Sequence, residues 1–148
     1  MRGLAILLIL AGVGYLVYTQ GMPRLEERRQ AEAVEASEAE RSLSCVGRAR
    51  AVNSAFARDI RQFGQPPIDG SLWASFMLQV SGELTSADSA CSCSAEACAS
   101  ASAALLELRG LVNDLNSFIR SAGPPVTDAA SRLETVERLL DRAQRQAG

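Results

Sequence analysis

An all-α fold is predicted: an N-terminal single transmembrane helix continuing into a small antiparallel bundle of three to four helices, stapled by disulfides. Three observations predict it. Helix-forming residues dominate, and β-branched residues never gather into alternating runs. An uncharged apolar stretch opens the chain, and two Gly-(x)-Pro-Pro turns each separate a pair of helical stripes. The 148 residues divide into a transmembrane signal anchor at 1–23, a charged helical stalk at 24–47 and a helical bundle domain at 48–148.

The anchor reads GLAILLILAGVGYLVYTQGMP from Gly3 to Pro23, without a charge. At helical rise this stretch covers ~32 Å, close to the ~30 Å of a bilayer's hydrocarbon core. Tyr15 and Tyr18 lie near one end, where amphipathic rings favour the interface, and Arg2 closes the other. The exit, LVYTQGM, has no small-residue cleavage site, and the first cysteine is Cys45, too distant for lipid attachment. An uncleaved signal anchor accounts for both. Two arguments on orientation conflict. Arg24, Arg28 and Arg29 outnumber Arg2 and favour a cytoplasmic domain. The cysteines favour an oxidising compartment, and the geometry of their spacing decides for them: a bacterial inner-membrane protein with its C-terminal domain in the periplasm.

The stalk, RLEERRQAEAVEASEAERSLSCV, is Ala-rich and charged, with no Gly or Pro before Gly47. Its acidic residues Glu26, Glu27, Glu32, Glu35, Glu38 and Glu40 read as a solvated helix face partly paired with Arg28 and Arg29, not as acid/base machinery. The first bundle helix, at 48–63, places Val52, Ala55, Phe56, Ile60 and Phe63 on one face. Gly64 and Pro66-Pro67 stop it. Ser71 can cap a second helix through Leu84, with Leu72, Trp73, Phe76, Met77 and Val80 as its face. Residues 85–95 turn to Ser, Ala, Asp and Cys and are expected as a loop.

The third helix, about 95–122, carries the strongest stripe: Ala101, Ala104, Leu105, Leu108, Leu111, Val112, Leu115, Phe118 and Ile119. Gly123 and Pro124-Pro125 end it. A fourth, from Thr127 or Asp128 to about Gln146, packs through Ala130, Leu133, Val136, Leu139, Leu140 and Ala143. Arg138, Arg142 and Arg145 near its end suit the helix dipole. Two helix–turn–helix hairpins side by side make an antiparallel bundle.

Cys45 falls 19 residues before Gly64, ~28 Å of helix. The return leg covers a similar distance, so Cys91, Cys93 and Cys98 come back to its level. A Cys91–Cys93 ring is too tight. Two pairings remain: Cys45–Cys91 with Cys93–Cys98, or Cys45–Cys93 with Cys91–Cys98. A thiolate metal site is the sharper alternative, but C-x-C-x4-C matches no usual ligand spacing, and no metal ligand is assigned. A redox pair lacks a Cys-x-x-Cys at a helix N-terminus.

Chemistry is narrowed further by composition. Histidine is absent, which removes Ser-His, Cys-His and His-metal designs. The net charge of −2 has its signs interspersed, so no nucleic-acid footprint exists. Every basic residue is arginine, which reflects GC-rich coding. No phosphate loop or G-x-S-x-G occurs, and Trp73 reads as core. The expectation is a non-enzymatic bitopic protein, an accessory or structural subunit that binds the lipid bilayer and other protein subunits, with no cofactor. The alternatives are a thiolate metal-binding or redox-active envelope protein, and a membrane-anchored sensor with an apolar ligand pocket.

Overall fold

The computed structural model describes the backbone of residues 2–148 except Pro66 and Ala122, and the side chains of 26, 28–65, 67–120 and 123–148. Among the described residues there are four α-helices and no strand: α1 (Arg2–Asp59), α2 (Gly70–Ala90), α3 (Glu96–Ser121) and α4 (Ala129–Ala147). A 3-10 turn, Ile60–Phe63, ends α1. The chain forms two compact units, Met1–Ser37 and Glu38–Gly148. The expected membrane anchor at 1–23 lies outside the residues whose side chains are described. Among the described residues no helix is long and apolar enough to cross a membrane.

In the first unit the described side chains, from Glu26 to Ser37, are exposed. Burial begins with Ser42, Cys45 and Val46 in the second unit. There the helices run up, down, up and down. Phe56 of α1 stacks on Phe76 of α2 with ring centroids 6.0 Å apart. The Trp73 indole N–H of α2 donates to Asn116 of α3 at 3.0 Å, and Asp88 of α2 pairs with Arg109 of α3. Arg50 of α1 reaches Asp141 of α4 at 2.5 Å, which closes the ring of four.

The α3–α4 contact follows from two apolar stripes. Ala97, Ala101, Ala104, Leu108 and Leu111 on α3 are buried, as are Val136, Leu140 and Ala143 on α4, a spacing of three and four that puts each set on one face. Arg132 locks the edge of this contact, donating to Glu107 at 2.7 Å and to Asp114 at 2.6 Å. These two partners hold the Arg132 charge above its already high ordinary pKa, Asp114 first. Gly110 lies between them. A Cβ there would stand 2.7 Å from the Arg132 guanidinium, so glycine leaves room for the clasp.

Four sequence expectations are corrected. The loop expected at 85–95 is helix as far as Ala90, leaving only 91–95 outside α2 and α3. Its serines and threonine do not break the helix, because Thr85 and Ser89 donate to the carbonyls of Ser81 and Thr85, four residues back. Ala87 in that stretch is 1% exposed and continues the buried face from Leu84, so tertiary burial overrides weak local propensity. Leu72 is not on the packed face but 60% exposed. The α2 stripe runs Trp73, Phe76, Val80, Leu84 and Ala87 instead. The cap of α2 is Asp69 rather than Ser71: its Oδ1 accepts from the Ser71 and Leu72 backbone N–H groups. On α4, Ala130 is exposed and Ala129 packs in its place, one residue earlier in the register.

Candidate functional site

The four cysteines gather at one end of the bundle. Cys45 bonds Cys91 across 4.6 Å of Cα separation, and Cys93 bonds Cys98 at 5.9 Å. The first of the two admissible pairings is therefore the one formed. Helical rise explains why. From Cys45 to Gly64 the chain climbs ~28 Å, and the 21 residues of α2 descend ~31 Å, so Cys91 arrives opposite Cys45. It does so as uninterrupted helix, not through an extended strand. Cys45, Cys91 and Cys98 are buried, and Cys93 is half-buried. With every cysteine sulfur in a disulfide, no thiolate remains to ligate a metal or attack a substrate in this oxidised form. This end is a staple that fixes α1, α2 and the start of α3.

The opposite end carries the aromatic residues. Phe63 meets Trp73 edge-on at 5.0 Å and Phe76 at 5.1 Å. Large rings hold helices farther apart than alanines do. The aromatic tip opens into a groove of about 770 Å³. Phe63, Ile68, Trp73, Phe118, Ile119 and Arg120 line it. Phe118 is 41% exposed, although it lies on the stripe of α3. Between Ile68 and Gly70, Asp69 is occupied in capping α2. The Ser71 hydroxyl, with the backbone N–H groups of Leu72 and Ser71, holds its carboxyl below the ordinary carboxylate range. The groove is thus an apolar floor with one guanidinium on its wall. It can bind, but among the described residues it presents no nucleophile or general base.

Sequence reasoning placed Phe63, Trp73, Phe118 and Ile119 on core stripes and assigned no groove to that end. A signal was present: Phe56, Phe63, Trp73 and Phe76 bracket the first Pro-Pro turn, and Phe118 lies six residues before Pro124 of the second. Bulk is concentrated at one end. The chain matches no family model, no curated protein and no solved structure.

Proposed function

We propose that this chain is a non-enzymatic, bitopic envelope protein: an accessory or structural subunit whose stapled bundle receives an apolar segment of a partner subunit in the tip groove. The observation that carries this is the groove itself, with Phe118 left partly exposed beside Ile119 in a bundle that buries Phe56, Trp73 and Phe76. Partly exposed aromatic clusters are the usual anchors of protein interfaces. The uncharged stretch at 3–23 supports lipid anchoring, and the disulfides support an oxidising, periplasmic side.

The test is a mild-detergent pull-down of the full chain, wild type against Phe118→Glu, with identification of co-purifying subunits. The wild type brings down defined partners, and Phe118→Glu loses about 90% of them, as a hot-spot aromatic predicts. Recovery of the wild-type chain alone sinks the reading. The same groove supports a second reading, a membrane-anchored sensor, because its volume falls within the range of small-molecule pockets. Native mass spectrometry separates the two: an apolar small molecule retained in place of a protein partner selects the sensor.

A further inference from the structure

A second groove, of about 690 Å³, lies between α1 and α2 beside the Cys45–Cys91 bond. Its chemistry is the reverse of the tip's: Arg41, Ser44 and Arg48 on α1 face Ser86, Ser89 and Ser92 on the α2 side. Arg41 and Arg48 are seven residues apart, two helical turns, so both project from one face of α1. Neither makes an ion pair among the described residues. The one bond between the walls is Arg48 donating to the Ser86 hydroxyl at 3.1 Å.

Three nearby carboxylates have partners outside the groove. Glu83, which shares an adjoining surface groove with Arg48, accepts from the Gln79 amide at 3.0 Å. Asp88 pairs with Arg109 toward α3, and Glu38 accepts from Ser94. Ser89 and Ser92 currently donate to backbone carbonyls at 3.0 Å, and those hydroxyls rotate freely enough to be redirected. In a chain of net charge −2, two uncommitted guanidinium groups in one hydroxyl-lined concavity are a local excess of positive charge.

We propose that this groove is a binding site for a phosphate group. Two guanidinium forks and several hydroxyls approach from both walls, which suits a tetrahedral oxyanion with acceptors on several sides better than a planar carboxylate. The disulfide beside Ser44 and Ser92 holds the two walls at fixed spacing, so the site is pre-organised by the staple. The site is distinct from the tip groove and does not depend on what occupies that groove. The phosphate can come from a lipid headgroup or from a soluble phosphate.

The experiment uses the full chain, 15N-labelled at arginine, in maltoside micelles, which contain no phosphate. Arginine Nε–H resonances are followed while inorganic phosphate is added, then in separate micelles doped with phosphatidylglycerol. The expected result is saturable movement of the Arg41 and Arg48 signals, with affinity about tenfold weaker in Arg41→Gln and in Arg48→Gln, as loss of one charge-assisted bond implies. Arg142→Gln, on exposed α4, leaves it unchanged. Saturation with both probes identifies a general phosphate site, and saturation with the doped micelles alone identifies the lipid headgroup as the source. If neither probe saturates the two signals, or sodium chloride at matched ionic strength moves them equally, the proposal is overturned. Far-ultraviolet circular dichroism confirms that each variant keeps its helices.

Discussion

Asp69 shows how much one side chain decides. The described residues before it, Gly64, Gln65, Pro67 and Ile68, make no helix, and α2 begins at Gly70, where the Asp69 carboxylate collects the Ser71 and Leu72 N–H groups and the Ser71 hydroxyl at 2.6 Å. These donors favour the charged form, so the folded pKa lies below that of the unfolded chain, about 3.9. The sign follows from linkage. The cap contributes stability above the unfolded pKa, and that contribution is lost as pH falls through the folded pKa. Thermal melts should therefore show Tm dropping on acidification below about pH 4. Asp69→Asn, which keeps an acceptor but does not titrate, should flatten that drop. An Asp69 carboxyl 13C titration with its midpoint at or above the unfolded value would contradict the capping role. Other charged pairs count for less. Arg50 and Asp141 are 41% and 56% exposed, and water screens such pairs to ~0–1 kcal/mol.

At the scale of the element, α2 is the informative helix. Its stretch through Leu84 announces itself through apolar residues at helical spacing, whereas its last six residues, TSADSA, read locally as loop. What keeps it helical is one face: Leu84 and Ala87 extend the Trp73–Phe76–Val80 stripe into the core. This gives a prediction for the packed face. Leu84→Ala should destabilise the bundle by about 2–5 kcal/mol, the cost of a cavity at a buried leucine, in denaturant unfolding followed by Trp73 fluorescence. A change below about 0.5 kcal/mol, as at an exposed surface position, would contradict the burial that carries α2 past Leu84. The α3–α4 pair needed no such help. Its stripes are apolar along most of their length, and the Pro-Pro turn between them leaves an antiparallel return as the short solution.

For the whole molecule, the cross-link between α1 and α2 matters most. Cys45 and Cys91 are separated by 46 residues, Cys93 and Cys98 by 5. Loop entropy scales with that length: about 4 kcal/mol for the long bridge and about 2 kcal/mol for the short one. A core built largely on alanine depends on such a contribution. Cys45→Ser with Cys91→Ser should lower the unfolding free energy by about 4 kcal/mol, and Cys93→Ser with Cys98→Ser by about half as much. Denaturant curves on the two double variants check the order, and equal losses would show that strain or contacts, not chain entropy, dominate. The staple and the tip groove lie at opposite ends of one bundle. Rigidity is invested at the base and exposed aromatic surface at the tip, the arrangement on which the proposed docking role rests.

Much of this architecture was legible in the residues themselves. Four helices, the two Pro-Pro turns and the return of the cysteine cluster to the level of Cys45 follow from rise per residue, helix periodicity and turn chemistry, all of them short-range properties written along the chain. Three features were not legible: which cysteine of the cluster pairs with Cys45, where α2 ends, and that the tip opens into an apolar groove. Each depends on what stands opposite. Leu84 and Ala87 fold helically because a core receives them, and Gly110 matters because Arg132 of another helix needs the space. Phe118 stays exposed although its stripe predicts burial, because bulky rings on α1 and α2 keep the end of the bundle open. Neighbours across space settle such points, and one chain read in order does not contain them.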